Sequence, residues 1–227
     1  KVIVVSWGDL VGDPRFAGVA QLDSPERLEA AARLWKERGV DKVLFRVDDP
    51  RLLRFHDLHI PANAALYQAW EAAVRRAEEQ NLFAAAARII KAAGVEAHMW
   101  ISVIDEGAPP AVFYDDIEPF PWQCRFVRAH PEYQSCDRSL TESGRKYHLG
   151  VLEFAYPEVR AHVLEEIRSF SDHMPFDGVF LSFRSHSPPP EHADQFGFNQ
   201  PVVDEYQRRY GKNILRQSFD LEKWRSL

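Results

Sequence analysis

Long apolar runs, cysteine and an excess of basic charge are all scarce in this chain of 227 residues. The longest largely apolar stretch, Leu82 to Ile90, is broken by Arg88 and falls well short of the ~18 residues of a membrane span. No membrane span is therefore expected. Basic residues number 28 against 34 acidic ones, a net charge of -6, and no basic block stands out. A phosphate backbone needs clustered lysine and arginine, so nucleic acid is not an expected partner. The two cysteines, Cys124 and Cys136, exclude a disulfide framework and an all-cysteine zinc site. In an oxidising compartment they would close a short loop, worth roughly 3 kcal/mol in the chain-entropy model. In a reducing one they stay thiols, and both readings remain open. Phosphate-binding signatures are missing too. Gly8, Gly12 and Gly18 have the wrong spacing for G-x-G-x-x-G, and there is no P-loop.

What is present is ordinary globular material, with 45% hydrophobic and 27% charged residues, enough to bury a sizeable core. At about 150 residues per domain, the length suits one large domain or two small ones. Val2 to Trp7 is a short, Val-rich run that predicts a strand buried on both faces. Ser24-Pro25 predicts a helix start, with Leu28, Ala31, Ala32 and Trp35 at helical spacing and Gly39 as the stop. Val43 to Val47 is a second strand. Leu66, Trp70, Ala73, Val74 and Ala77 mark an amphipathic helix, and a further helix, Leu82 to Ala93, ends at Gly94. Ala97 to Ile104 is a third strand.

From about 105 to 148 no period is visible. Pro109, Pro110, Pro119, Pro121 and Pro131 fall there, and a loop of that length is expected to be either functional or disordered. Tyr156-Pro157-Glu158 opens another helix. Phe176-Asp177-Gly178 turns into a fourth strand, Val179 to Phe183. After a proline-rich loop, Asn199 or Gln200 caps a last helix that Gly211 ends. The chain starts at Lys1 rather than Met, which reads as an upstream segment removed. The compartment stays open, with extracytoplasmic the preferred side.

Strand and helix alternate four times, the pattern of a parallel sheet with right-handed crossovers. A doubly wound sheet and a (β/α)8 barrel compete, and the missing dinucleotide fingerprint weakens the first. The expectation is an α/β fold of the TIM-barrel type. Residues 1–227 would form a single domain supplying the first four βα units, incomplete at the C-terminus.

Strand parity points to a site. In three strands one parity is wholly apolar and the other mixed: Leu44, Arg46 and Asp48; His98, Trp100 and Ser102; Phe180, Ser182, Arg184 and His186. The apolar set is expected against helices and the mixed set in the barrel interior, its polar members at the C-terminal strand ends. Barrel enzymes place their chemistry there. Charges in such an interior must pair with each other or meet a ligand. An Arg-Asp pair filling the barrel mouth is the structural alternative. Glu191, with His186 beside it, is the candidate acid, because a carboxyl at a strand end can be tuned by burial. Arg46, Asp48 and Arg184 would orient hydroxyls, His98 would add a hydrogen bond, and Trp100 and Trp122 would offer stacking faces. His56-x-x-His59 and the group His186, Glu191, His192 and Asp194 match no known zinc spacing, so neither a metal nor a cofactor is expected.

Tyr156-Pro157-Glu158-Val159-Arg160, Phe176-Asp177-Gly178-Val179 and Lys91 to Trp100 together resemble the glycosyl hydrolase-like family 10 barrels, over roughly residues 40 to 210. The resemblance implies a (β/α)8 barrel and hydrolysis of glycosidic bonds in an oligo- or polysaccharide. This chain departs from that family after the fourth strand. Family members commonly carry aspartates there, whereas Phe180 to His186 holds no carboxylate, and hydrolysis ordinarily needs two. Asp48, Glu191 or Asp194 would have to supply one, and a later strand the other. The other readings are a catalytically silent carbohydrate-binding barrel and a metal-dependent hydrolase built on His186 to Asp194.

Overall fold

Four short apolar segments lie side by side in one all-parallel sheet: Val2–Val5 (β1), Lys42–Arg46 (β2), Glu96–Ser102 (β3) and Gly178–Ser182 (β4). Their order in the sheet is their order in the chain, β1-β2-β3-β4. That order is the barrel's, and it excludes the reversal that defines a doubly wound sheet. The α/β expectation therefore holds, with strand limits shifted by at most two residues. The structure is a computed structural model that describes residues 1–6, 8–9, 21–47, 65–103, 107–108, 122–123, 125–139, 151–183 and 196–217. The chain divides into two compact units, Lys1–Val103 with Glu165–Phe183 and Ile104–Leu164 with Arg184–Leu227.

In the first unit the helices form where their caps direct. Helix α1 (Pro25–Glu37) starts at Ser24, whose side chain accepts from Arg27 N, and Pro25 holds the first turn. Gly39 takes φ 70° just beyond its end, a conformation that costs glycine little. Helices α2 (Ala65–Glu79) and α3 (Leu82–Ala92) follow, and α3 buries Leu82, Phe83, Ala86, Ala87 and Ile90. α1 packs on α3, and α3 packs on β3. Beneath them lie Val43, Phe45 and Val47, then Ala97, Met99, Ile101 and Val103, all buried. In β2 and β3 the wholly apolar parity is thus buried, as alternation predicts, whereas along β4 the same parity, Val179, Leu181 and Phe183, is exposed, which corrects the expectation for that strand. Among the described residues, β1 and β4 pair on one edge only.

The Asp177-Gly178 turn has a structural explanation. Asp177 accepts from Ala97 N at 3.0 Å and pairs with Lys91 Nζ at 2.7 Å, tying β4 to the start of β3 and the end of α3. The Lys91 ammonium, helped by the Ala97 amide, holds the Asp177 carboxyl below the usual range. Gly178 is required because the His98 ring lies where a side chain would begin: a Cβ there would meet His98 Cε1 at 2.8 Å.

The second unit has its own small core of Phe198, Val203, Tyr206 and Ile214, built on helix α5 (Gln200–Tyr210). It also holds the first turns of α4 (Pro157–His173), a helix through which the division between the units runs. Asn199 is buried and joins two segments, accepting from Cys136 N at 3.0 Å and donating to Gln134 O at 2.8 Å. At the start of α4, Arg160 donates to the carbonyls of Phe154 and Ala155 while Val159 is buried. The Pro-Glu-Val-Arg run is thus a helix start whose arginine ties the first turn to the chain just before it.

The stretch expected to lack regular structure corrects that expectation in part. Gly107–Ala108 pairs antiparallel with Trp122–Gln123, and Arg125–Ala129 and Pro131–Tyr133 form short helical turns. Elements of two to five residues are too short to display a hydrophobic period. Among the described residues no helix is long and apolar enough to cross a membrane.

Candidate functional site

The second parity of the sheet carries the candidate site, and strand register organises it into rows. Arg46 pairs with Trp100, and Trp100 with Phe180. The next row toward the C-terminal ends holds Ser102 and Ser182. Arg46 is only 4% exposed. Its guanidinium lies over the Trp100 ring, 5.4 Å from the centroid, and Phe180 meets the same indole edge-on at 6.5 Å. A cation over an indole is attracted by the ring quadrupole, more strongly when desolvated. It also covers one face of Trp100, which sequence reading had assigned to stacking. The indole Nε1 is buried and makes no hydrogen bond.

His98 lies one row nearer the N-terminal ends, in register with Leu44 and Gly178. Its Nε2 shares a 2.5 Å hydrogen bond with Glu96 Oε1, and Lys42 Nζ stands 3.3 Å from the same oxygen. These two partners, His98 first, hold the Glu96 carboxyl below its usual range. The imidazole is thus engaged with Glu96 and packed on Gly178, a row below the strand rim.

Of the residues singled out in the sequence, the structure brings together Arg46 and Trp100 and sets His98 below them. Asp48, Arg184, His186 and Glu191 lie outside the described residues, as do His56, His59, His192, Asp194 and Cys124. Trp122 sits in a two-residue strand of the second unit, and its side chain is outside the description. Cys136 is buried. Among the described residues no three potential ligands gather for a metal.

Sequence reading passed over three buried carboxylates, Asp9, Asp23 and Glu166. Asp23 precedes α1 and is met by Arg27 Nη1 at 2.6 Å and Arg76 Nη2 at 3.1 Å, which ties α1 to α2. Asp9 follows β1 and is 7% exposed. Its Oδ2 accepts from Ser6 N at 2.9 Å and Ser6 Oγ at 3.3 Å, and its own N–H donates to Ser6 O. The available signal was local: a serine three residues before an aspartate, directly after an apolar strand, closes a side-chain-to-backbone turn.

No family model matches the chain, and no curated protein matches it. The solved structures to which it is similar include glycoside hydrolases. One is the GH36 alpha-galactosidase AgaA A355E D478A of Geobacillus stearothermophilus, 17% identical, with 92% of this chain and 26% of that one covered and a TM-score of 0.45. Another is the beta-galactosidase of Marinomonas ef1, 12% identical, with 93% and 26% covered and a TM-score of 0.46. A third is the catalytic domain of the Paenibacillus polymyxa beta-amylase, 14% identical, with 100% and 49% covered and a TM-score of 0.43. The chain thus spans about a quarter of the length of these galactosidases and about half of the amylase domain.

Proposed function

We propose that residues 1–227 supply four βα units of a (β/α)8 barrel of the glycosyl hydrolase-like family 10 kind, and that the barrel hydrolyses glycosidic bonds in an oligo- or polysaccharide. The observation that carries this reading is the row Arg46–Trp100–Phe180 on the less covered face of a sequentially ordered parallel sheet. Sugars present apolar ring faces edged with hydroxyls. A row of aromatic groups joined to a guanidinium and, one row up, to two serine hydroxyls suits that surface better than it suits a wholly apolar ligand. Among the described residues β1 and β4 are paired on one edge only and Phe180 is 43% exposed, which suits a sheet that continues on both sides.

In this reading Glu191 is the acid, His186 is its neighbour, and Asp48 or a residue of a later strand is the second carboxyl group. Arg184 and Arg46 hold hydroxyls. Trp122 is assigned to the same ligand. The chemistry asks for no cofactor and no metal.

A silent carbohydrate-binding barrel is the second reading, and one observation favours it. The described rim residues of β2, β3 and β4 are Arg46, Trp100, Phe180, Ser102 and Ser182, with no carboxylate among them. Incubating the protein with stachyose and maltoheptaose, with release of sugars and binding both measured, separates the two. Hydrolysis that falls roughly 10²–10⁴-fold in Glu191→Gln with binding retained supports the enzyme. Binding without hydrolysis, weakened in Arg46→Met, selects the binding module. Neither binding nor hydrolysis defeats both.

A further inference from the structure

Among the described residues three buried side-chain nitrogens make no hydrogen bond: Arg46 Nη2, Trp100 Nε1 and His162 Nε2. They are not equivalent. Arg46 and His162 hold other interactions, and a guanidinium and an imidazole each keep further nitrogens. An indole has a single polar group, which can only donate. For Trp100 that one group is buried and makes no bond.

Leaving a buried donor unmade is unfavourable, and a phenylalanine at this position would fill the row without that penalty. Stacking does not account for the indole either. The Arg46 guanidinium lies 5.4 Å from the ring centroid on the β2 side, and the Phe180 ring meets it edge-on at 6.5 Å on the β4 side. Both flanks of Trp100 thus face protein groups. The row also grades from closed to open, with Arg46 4% exposed and Phe180 43%. What the indole adds to this row is its N–H.

We infer that Trp100 is a specificity-determining residue of the site, its Nε1–H donating to a hydroxyl or ring oxygen of an oligosaccharide that enters from the β4 side. The inference rests on the carbohydrate reading and deepens it. The half-open Phe180 ring is free to turn aside on a fast timescale, while the buried Arg46 stays over the indole. The incoming oxygen then meets a donor already stripped of water, so the bond costs no further desolvation on the protein side. A sugar without an oxygen at that point leaves the donor unmade. Such a bond sorts hydroxyl patterns more sharply than stacking does, because sugars of every pattern present an apolar face.

The test uses the whole chain and its Trp100→Phe variant, which keeps an aromatic ring and removes the donor. Stachyose and maltoheptaose are the probes, and binding is measured by titration calorimetry alongside thermal melting. The variant should bind about 10-fold or more weakly than the parent. Its melting temperature should stay close to the parent's, since loss of packing is offset by removal of an unmade donor. In the parent, isotope-labelled at the tryptophan indoles, the Trp100 Hε1 resonance should move downfield on binding, as it does when the N–H gains an acceptor. Equal or higher affinity in Trp100→Phe overturns the inference and makes the indole a packing residue. An Hε1 resonance that does not move downfield in the bound parent overturns it too, even where Trp100→Phe does not fold, and assigns any weaker binding of the variant to lost packing. A parent that binds neither probe removes the carbohydrate reading and this inference together. A parent that binds with the Hε1 resonance unmoved removes this inference alone.

Discussion

Ile101 and Leu181 are register partners on neighbouring strands and point to the same face of the sheet, yet Ile101 is 0% exposed and Leu181 42%. Residue type does not separate them; coverage does. α3 lies over β3, whereas Val179, Leu181 and Phe183 along β4 remain open. The opposite face of the sheet shows a different split. Its far end, Arg46 and Ser102, is buried, while Val2 and Val4 of β1 are exposed. An apolar strand therefore marks what a sheet is built to receive, and only the packing of helices shows where that has been delivered.

The sharpest test of this contrast is Phe45→Ala. Phe45 is buried between Phe83 and Phe176, each ring centroid 6.4 Å away. Its truncation should cost about 3–5 kcal/mol in chemical denaturation. A loss below about 1 kcal/mol would show that the helix layer is loosely packed. Next come the register partners. Ile101→Ala should cost about 2–5 kcal/mol and Leu181→Ala about 1 kcal/mol or less. Equal losses would mean that β4 is covered in solution by something else.

Gly178→Ala should cost about 1–3 kcal/mol, because its Cβ would drive into the His98 ring. Much of that loss should return in a His98→Ser background. Failure of the double variant to recover would place the strain in the backbone instead.

The smallest effect belongs to Asp177. Its carboxyl titrates below the unfolded value, so the unfolded chain binds more protons in the interval between the two. Stability from this group is thus complete above the ordinary aspartate range and is lost as pH falls through the folded value. Because the Lys91 pair is partly solvent-exposed, Asp177→Asn should cost about 1 kcal/mol or less at neutral pH. It should also flatten the acid side of a melting-temperature profile. An unchanged acid slope would assign that slope to other carboxylates.

Much of the fold was legible because it rests on local rules. Ser24 before Pro25, Gly39, Gly94 and Gly211 after their helices, and two-residue alternation along β2 and β3 are each decided within a few residues. The face that Arg46, His98 and Trp100 share was legible for the same reason. Their separation into rows was not, since register between strands is fixed by pairing across some fifty residues of chain. His98 therefore looked like a rim residue and proved to lie below the rim, tied to Glu96. The guanidinium over Trp100 is likewise a tertiary event.

The uneven cover on β4 also sets a timetable for motion. Amide hydrogens exchange through local openings whose cost tracks the apolar contacts broken. Among the described residues β2 has a strand on either side and a buried outer row, whereas β4 has one strand partner and an open outer row. Exchange should therefore be slowest at Val43–Phe45, intermediate along β3 and fastest at Val179–Leu181. Phe180 stands on the strand that opens first while Arg46 stands on the one that opens last. A molecule bound across that row would act as a latch, slowing exchange in β4 far more than in β2.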